Sequence, residues 1–554
     1  MSFQERSNVA NAETEGHVGL AIARSLEQHG VDRVFTVPGE SYLAVLDGLY
    51  DTGIHNVVCR HEGGAAYMAD AYGRATSGVG VAMVTRGPGA ANAAVAIHTA
   101  WQDASPLVLF VGLIPVQDRD REAFQEFDPR AWFGSQAKRV LILDAPERAS
   151  EVVAEAFHAA RSGRPGPVVV GLPEDVVASA FTGTAVAPYP VTSGAISTEQ
   201  VATLHDLLAQ AEQPLFFLAG EGWNDSAVRA VQQFAEQHSI PVLTDWHGTW
   251  RIPTVSPACI GQSAFGGPPY ACHALEEADL IVCLGGTLTD TTSDSFRMRR
   301  AQDSQTVVIS SDAALRGHTG RVEQHFLAAP SAIPAALAAV PLEQSAARTR
   351  WGQELRAAYL ASRAVSAPTA PDGVASMTRL IGEVAAHYHD PLLAMGAGNH
   401  GAWGALFDTT STQSELAPRN GSMGYSIPAA TAAALALPHR NVLALAGDGE
   451  FLMNGQELAT ATQEGAAFLA VVMDNRQFGT IRIHQEREYP GRVSGTQVTN
   501  PSFAGLAAAY GAHAEEVTND EQISTAVSRS VAAVAAGRVA VIHIHVDPSV
   551  LLPE

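Results

Sequence analysis

Two apolar runs near the end of the chain, each followed by an acidic turn, constrain its fold more than any other feature. Residues 442–446 lead into Gly-Asp-Gly-Glu at 447–450, and residues 468–473 lead into Asp-Asn at 474–475. Asp448 and Asn475 are 27 residues apart, about the length of one strand–helix–strand unit. The spacing therefore predicts that both side chains meet at the carboxyl edge of a parallel sheet.

The residue types at that edge suit a magnesium ion held together with a diphosphate. A carboxylate and an amide oxygen are hard ligands, and Mg²⁺ is commonly held by one or two carboxylates plus phosphate oxygens. Gly447 and Gly449 let the backbone approach such a group, and the helix expected after Gly449 offers N–H donors. A Gly-Asp-Gly turn alone is common, so a turn without a ligand is the alternative.

The rest of the chain repeats the same strand–helix alternation. Nearly all-apolar strands between helices predict an α/β fold of three doubly wound parallel-sheet domains, at residues 1–180, 195–345 and 374–554. Residues 178–197 and 367–373 lack periodicity and are expected to be linkers. The predicted strands of the first two domains are 31–37, 55–60, 78–85, 107–112, 140–143, 167–172, 215–218, 242–244, 280–284 and 307–310.

Charge and composition exclude several classes of protein. A net charge of −23, without a basic cluster, argues against a nucleic-acid partner. The longest apolar run, 107–116, is too short to cross a bilayer, and the polar first residues do not form a signal peptide. The four cysteines are scattered, as buried thiols in a reducing compartment would be. We expect a cytoplasmic protein without a membrane partner.

A second stretch, residues 60–74, places Glu62 just after a predicted strand and at the start of a helix rich in small residues. Alone, such a glutamate could simply stabilise the helix dipole, and that alternative stays open. Thr-Arg-Gly-Pro-Gly-Ala-Ala-Asn follows at 85–92, and Gly-Ser-Met-Gly-Tyr stands at 421–425. Because these motifs occur together, a catalytic role for Glu62 is favoured.

Together these motifs resemble the thiamine-diphosphate-dependent 2-oxo-acid decarboxylases and carboligases, most closely the acetolactate-synthase-like branch. The resemblance covers nearly the whole chain. It is carried by residues 38–49, 60–74, 85–107, 121–128, 421–430 and 447–482.

The resemblance implies a catalytic role for Glu62, Gly421 and Met423. Glu62 would hydrogen-bond N1′ of the aminopyrimidine and so favour loss of the proton from thiazolium C2. The Gly421 carbonyl would accept from N4′, and Met423 would support the bend of the cofactor. For Met423 the alternative is a side chain that merely fills the core.

The same resemblance implies the ligands of the metal and of the diphosphate. Asp448, Asn475 and the carbonyl of Gln477 would hold Mg²⁺. The other expected cofactor-binding residues are Asn399, His400, Gly447, Gly449, Glu450, Phe478 and Gly479. Active sites would lie between subunits of a homodimer or homotetramer, and the substrate would be a small 2-oxo acid or diketone.

Some positions depart from acetolactate synthases and bear on the substrate. His484 stands where a tryptophan is usual, while Phe124 and Gln125 match residues near the substrate pocket and Lys138 matches one at its mouth. Arg86 replaces a usual serine and could bind an anionic substrate, or form a structural ion pair. Residues 285–290, Gly-Gly-Thr-Leu-Thr-Asp, differ from the flavin-carrying enzymes, so bound FAD is not expected.

The sequence thus predicts magnesium- and thiamine-diphosphate-dependent cleavage or formation of C–C bonds in 2-oxo acids or diketones. Alternatives are a lyase or hydrolase acting on another 1,2-diketone or 2-hydroxyacyl compound, a flavin- or nucleotide-binding oxidoreductase, and a non-catalytic relative that keeps the fold.

Overall fold

Three six-stranded parallel sheets, one after another along the chain, make up the framework of the protein within its described residues. The computed structural model describes residues 13–220, 222–298, 300 and 303–553. Every strand pair in the three sheets is parallel, and helices join the strands. The predicted α/β fold with three doubly wound domains is confirmed.

The first and third sheets share one strand order. Numbered along the chain within each sheet, their strands lie in the order 2-1-3-4-6-5. In chain order the first sheet contains Arg33–Thr36, His55–Val58, Gly80–Thr85, Leu107–Leu113, Arg139–Ile142 and Val168–Pro173. The third contains Leu392–Met395, Glu415–Leu416, Val442–Gly447, Leu469–Asp474, His513–Val517 and Ala540–His545. In both, the order reverses between strands 1 and 3.

The second sheet has the order 3-2-1-4-5-6, which is the strand order of the dinucleotide-binding α/β fold. Its strands are Pro214–Leu218, Val242–Thr244, Cys259–Gln262, Leu280–Leu284, Gln305–Ser310 and Gln324–Leu327. The loops after strands 1 and 4 meet where the order reverses. A Cβ on Gly220 would lie 2.0 Å from the carbonyl oxygen of Gly285, so this crossing requires glycine.

The expectation that residues 178–197 form only a linker is wrong at their start. Ala180–Thr184 is a strand that pairs antiparallel with Glu13–His17. Sequence periodicity could not show it, because the partner is far away in the chain and only Phe181 is buried. The predicted strands of the first two domains are all present, with some ends shifted by one or two residues in either direction.

Helices cover the faces of the sheets and also join two of the domains. Helix Glu62–Thr76 packs on helix Ser426–Ala436 through small residues, so the first and third domains share one apolar core. In that core the Tyr425 hydroxyl donates to Asp70 at 2.7 Å. The other α-helices are Val18–Gln28, Leu43–Tyr50, Arg86–Asp103, Pro129–Phe133, Ala149–Arg161, Glu174–Val177, Thr198–Gln210, Asp225–His238, Pro269–Glu277, Ile333–Ala338, Ala346–Ser362, Met377–His387, Gly401–Gly404, Asp448–Asn454, Leu458–Glu464, Gly479–Glu488, Phe503–Ala509 and Ile523–Ala535.

None of the helices in the described part of the chain combines the length and the apolar character needed to cross a lipid bilayer.

Candidate active site

Two loops of the third sheet meet at the point where its strand order reverses. Strands Leu392–Met395 and Val442–Gly447 are parallel neighbours there, although another strand lies between them in the chain. Their carboxyl ends lead into residues 396–400 and into helix Asp448–Asn454. Open α/β sheets bind ligands in this kind of crevice. The two loops are therefore the framework of a candidate site.

Asp448 and Asn475 follow two neighbouring strands, as their spacing predicts. Gly447 pairs with Met473, so Asp448 lies one residue and Asn475 two residues beyond this pair. Both side chains are buried, and Asp448 is only 3% exposed. Burial raises the pKa of the Asp448 carboxyl, which means that a nearby cation would stabilise its charged form.

A third side chain, which sequence reasoning missed, joins this pair. The Asn500 amide donates to Oδ2 of Asp448 at 2.7 Å and to Oδ1 of Asp474 at 2.8 Å. Asn500 lies 25 residues after Asn475 in a stretch without helix or strand. No motif marks it, and only the folded chain brings it to this edge of the sheet.

The loop after Asn475 is fixed by its own side chains. The side-chain Oδ1 of Asn475 accepts from the backbone N–H of Gln477 at 3.2 Å, and the side-chain amide of Gln477 donates to the Pro548 carbonyl at 2.5 Å. The Phe478 ring occupies the space beside Gly449, where a Cβ would lie 2.6 Å from Cε1. A larger residue at position 449 would therefore collide with the Phe478 ring of the same chain.

Gly479 lies between two side-chain amides. A Cβ on it would lie 3.1 Å from Nδ2 of Asn475 and 3.3 Å from Nδ2 of Asn399. The hydroxyl of Thr480 donates to the Asn399 carbonyl oxygen at 2.7 Å. The amides of Asn475 and Asn399, which belong to different loops, are thereby brought to one place.

Asn399 and His400 each present a buried nitrogen that has no hydrogen-bond partner among the described residues. These atoms are Nδ2 of Asn399 and Nε2 of His400. Burial, together with the charge of nearby His247, lowers the pKa of His400 to about 4. The imidazole is therefore neutral at pH 7 and can carry its proton on Nε2. Buried donors left without partners are costly unless a ligand or water satisfies them.

The lowered pKa of His400 predicts a pH dependence of stability. Between its ordinary pKa of 6.5 and about 4, the unfolded chain binds a proton at this residue and the folded chain does not. The free energy of unfolding therefore falls as the pH falls through this window. We expect His400→Asn to flatten the decrease of Tm between pH 6.5 and 4. Parallel Tm curves for the variant and the wild type, measured by calorimetry, would contradict this.

The segment around Met423 is tied to both domains that border the site. The Ser422 carbonyl accepts from the N–H of Ala397 at 2.9 Å, and its hydroxyl lies 2.9 Å from that of Thr99. Gly421 has φ of +71°, a conformation that favours glycine. Met423 is half-buried. The positions predicted at 421 and 423 thus lie next to the loop 396–400.

Glu450 holds the end of this segment with its side chain, a role that the sequence did not show. Its carboxylate accepts from the N–H and the hydroxyl of Ser426, at 3.0 and 2.7 Å. Burial raises the pKa of this carboxyl to about 7. The side chain faces the start of helix Ser426–Ala436, which leaves the backbone N–H of Glu450 as its predicted contribution to a diphosphate.

Glu62 begins its helix as predicted, and its carboxylate forms a hydrogen bond with a neighbouring side chain. The His61 ring caps the helix by accepting from the N–H of Gly63 at 3.1 Å. The Glu62 carboxylate accepts from the Asn92 amide at 2.8 Å. Among the described residues, no hydrogen bond or ion pair joins Glu62 to the predicted ligands of the third sheet.

The four candidate substrate residues are not all together. The Arg86 guanidinium is buried and paired with Glu40 at 3.1 Å and Glu174 at 2.7 Å, which matches the structural alternative. It lies over the ring of Phe124, which is 72% exposed, and the Gln125 carbonyl accepts from Gly87. Arg86, Phe124 and Gln125 thus lie near one another in the first domain.

His484 and Lys138 lie apart from these three residues. His484 is exposed on helix Gly479–Glu488 of the third domain, where it bonds Arg487 at 3.0 Å. The match of Lys138 to a lysine at the mouth of the substrate pocket stays a prediction. The Lys138 ammonium donates to the carbonyls of Ala159 and Ser162, where a helix ends, and burial lowers its pKa to about 8. Cations satisfy free carbonyls at helix ends.

Comparisons with known proteins agree with this geometry. Three family models match the chain, namely the N-terminal TPP binding domain of thiamine pyrophosphate enzymes at residues 17–132, the central domain at 201–337 and the C-terminal TPP binding domain at 396–544. The acetolactate synthase large subunit of Parasynechococcus marenigrum is 30% identical over 92% of this chain and 85% of its own length. The chain belongs to the acetolactate-synthase-like family of thiamine-diphosphate enzymes.

Two further relatives in this acetolactate-synthase-like family match over similar lengths. The probable acetolactate synthase large subunit of Methanocaldococcus jannaschii is 29% identical over 96% of this chain and 92% of its own length. For the isozyme 2 large subunit of Escherichia coli the identity is 29%, over 91% and 92%. The predicted membership of this family is confirmed.

The described residues fit the cofactor of this family. A thiamine diphosphate carries an anionic diphosphate, and the site offers two buried nitrogens without a partner among the described residues: the amide donor of Asn399, and Nε2 of His400, which donates in the tautomer that carries its proton there. Next to them lie a buried carboxylate at 448 and an amide at 475, the ligand types that Mg²⁺ takes together with phosphate oxygens. Asn399 and His400 thus lie on one loop, and Asp448 and Asn475 lie on adjacent loops, at the same edge of the sheet.

Proposed function

We propose that this protein catalyses magnesium- and thiamine-diphosphate-dependent cleavage or formation of C–C bonds in 2-oxo acids or related 1,2-diketones. The observation that carries the proposal is the edge of the third sheet. There, Asp448 and Asn475 end neighbouring strands, and the unpartnered nitrogens of Asn399 and His400 lie on the adjoining loop. Hydrogen-bond donors that can bind an anion lie next to hard oxygen ligands for a metal. This combination suits a diphosphate bound together with a metal ion.

Within this proposal each loop has a separate task. Asp448, Asn475 and the main-chain carbonyl of Gln477 would hold Mg²⁺. Asn399 and His400 would donate to the diphosphate oxygens, together with backbone N–H groups of the helix that begins at Asp448. The neutral state of His400 keeps it a hydrogen-bond donor without adding charge to the site.

When bound, thiamine diphosphate supplies a nucleophilic carbon that adds to a substrate carbonyl and accepts the electron pair released when the C–C bond breaks. The chain prepares the cofactor for this. The Glu62 carboxyl would bond the ring nitrogen N1′, the Gly421 carbonyl would accept from the amino group, and Met423 would support the bend. A carboxyl group in this place favours transfer of a proton from the carbon to the amino nitrogen.

We further propose that Glu62 acts in the site of a neighbouring subunit. Within one chain its carboxylate is bonded to Asn92. In the family that the chain resembles, the active site lies between the first domain of one subunit and the third domain of another, and we infer the same arrangement here. A dimer is then the smallest active unit, and a tetramer would be a pair of such dimers.

A product assay tests the proposed activity. We expect purified protein, supplied with thiamine diphosphate, Mg²⁺ and a panel of 2-oxo acids and 1,2-diketones, to cleave at least one of them, with products identified by NMR. Relatives named acetolactate synthase make pyruvate the first substrate to try. Acetolactate or acetoin would support carboligation, and acetaldehyde alone would support decarboxylation. Turnover that continues after complete removal of the cofactor would contradict the proposal.

A second candidate function rests on a cavity at the middle domain. It has a volume of about 690 Å³ and is lined by loops at the carboxyl ends of three strands of the second sheet, including Trp223, Ser311 and Ala328, and also by residues of the first and third domains, such as Arg74 and Glu415. Its size and place suit a small ligand. A flavin- or nucleotide-binding oxidoreductase would use this cavity. A yellow chromophore in the purified protein, released on denaturation, would favour this alternative.

A further inference from the structure

Glu457 joins the third domain to the backbone that carries Glu62. Its carboxylate is fully buried, with 0% exposure. It accepts from the backbone N–H of His61 at 2.9 Å and from that of Arg60 at 3.1 and 3.2 Å. The Thr460 hydroxyl donates to the same carboxylate at 2.5 Å. A buried carboxylate with several donors holds its partners rigidly, because each lost bond would leave a buried group unsatisfied.

The two N–H groups that Glu457 binds come directly before the helix Glu62–Thr76. They belong to the turn that leads from strand His55–Val58 into this helix. With Glu457 holding the two residues before Glu62, and Asn92 holding its carboxylate, the direction of the side chain is set from both ends. Glu457 makes its contact in the protein interior, whereas Asn92 is exposed.

Gly64 keeps the space that this contact needs. A Cβ at residue 64 would lie 2.5 Å from Oε1 of Glu457 and 2.7 Å from its Cγ. Any larger residue would displace the carboxylate from the N–H groups of Arg60 and His61. The second glycine after Glu62, Gly64, is therefore required by a side chain of the third domain.

The same short segment carries Glu457 and the proposed metal ligand. Helix Asp448–Asn454 begins with Asp448, and the 3₁₀ turn Gly455–Glu457 continues it and ends at Glu457. One end of this helical segment therefore lies at the candidate diphosphate site, while the other end holds the Glu62 backbone.

We propose that Glu457 is a positioning residue, which fixes the backbone from which Glu62 reaches the cofactor. This inference rests on the proposed function, because it gives Glu457 a role only through Glu62. If Glu62 serves a neighbouring subunit, Glu457 also connects the diphosphate site of one subunit with the pyrimidine site of the next.

The test measures cofactor activation apart from substrate chemistry. Full-length protein is loaded with thiamine diphosphate and Mg²⁺, and exchange of the C2 proton for deuterium is followed by rapid quenching and NMR. In Glu457→Gln an amide replaces the carboxylate. Either its NH₂ group or its neutral oxygen, a weaker acceptor, then faces the backbone N–H groups of Arg60 and His61. We expect exchange and kcat to fall by about tenfold or more, the scale of a small misplacement of a reacting group. Cofactor affinity should stay unchanged.

Two more variants separate positioning from loss of stability. Gly64→Ala disturbs the same contact while leaving Glu457 in place, so it should slow exchange in the same way and remains informative if Glu457→Gln does not fold. Glu323→Gln is the control, since Glu323 is a partly buried glutamate of the middle domain that accepts from the backbone N–H of Thr306 at 2.6 Å. It should lower Tm without changing the exchange rate.

The outcomes distinguish this inference from the function on which it rests. Wild-type exchange rates in folded Glu457→Gln and Gly64→Ala would overturn the positioning role alone. Equal slowing in Glu323→Gln would also overturn it, because the effect would then follow general stability. A wild-type protein that binds thiamine diphosphate without accelerating C2 exchange would overturn the proposed function itself, and the positioning role with it.

Discussion

Glu62→Gln is expected to lower turnover by at least ~10²-fold, the scale of a lost acid–base function, while thiamine diphosphate still binds with nearly wild-type affinity. The change keeps the size of the side chain and its contact with Asn92 but removes the ionisable group. The anchoring residues lie in the third domain, so calorimetric binding should be little affected. Steady-state kinetics at saturating cofactor gives the turnover number.

The alternative, a glutamate that only stabilises the start of a helix, makes a different prediction. Such a residue is worth about 0.3–1 kcal/mol of stability and leaves catalysis unchanged. Glu151, in the first turn of helix Ala149–Arg161 of the same domain, provides the matched control. Glu151→Gln should retain wild-type turnover. If Glu62→Gln did so as well, the catalytic assignment of Glu62 would be wrong.

Asp448→Ala is expected to abolish magnesium-dependent binding of thiamine diphosphate. This carboxylate is buried at the end of strand Val442–Gly447, next to Asn475 on the neighbouring strand. Removing it takes away the only full negative charge in the proposed ligand set, so the metal loses its strongest contact. Titration calorimetry with thiamine diphosphate, with and without Mg²⁺, measures the loss.

A matched aspartate in the middle domain controls for the loss of a buried charge. Asp312 is also buried just beyond the end of a strand, Gln305–Ser310, and accepts from the backbone N–H of Ala314 at 3.0 Å. Asp312→Ala should keep metal-dependent cofactor binding even if its Tm falls. Unchanged affinity in Asp448→Ala would refute the anchoring role.

The sequence predicted those strands, helices and site residues whose positions depend on local pattern and spacing. The apolar runs and their separation placed Asp448 and Asn475 on neighbouring strands, and the structure has them there. The small residues after Glu62 predicted its helix, which begins at that residue. In each case the relevant contacts lie within one strand–helix–strand unit.

What escaped prediction depends on contacts between distant parts of the chain. Asn500 reaches Asp448 from a loop without periodicity, and Glu457 reaches Arg60 and His61 from nearly 400 residues away. Lys138 resembles a pocket residue, and the sequence did not show that it donates to the free carbonyls of a helix end. Such partners are set by tertiary packing, which no short motif records.

Mixing two inactive variants tests the central claim, that one active site needs Glu62 of one subunit and Asp448 of another. Glu62→Gln and Asp448→Ala chains are co-expressed with different affinity tags, and the mixed dimers are purified and assayed. Each mixed dimer contains one site with both residues intact, so we expect turnover near half that of the wild type per dimer. If both residues served the site of their own chain, every site would lack one of them. Mixed dimers without activity would contradict the account.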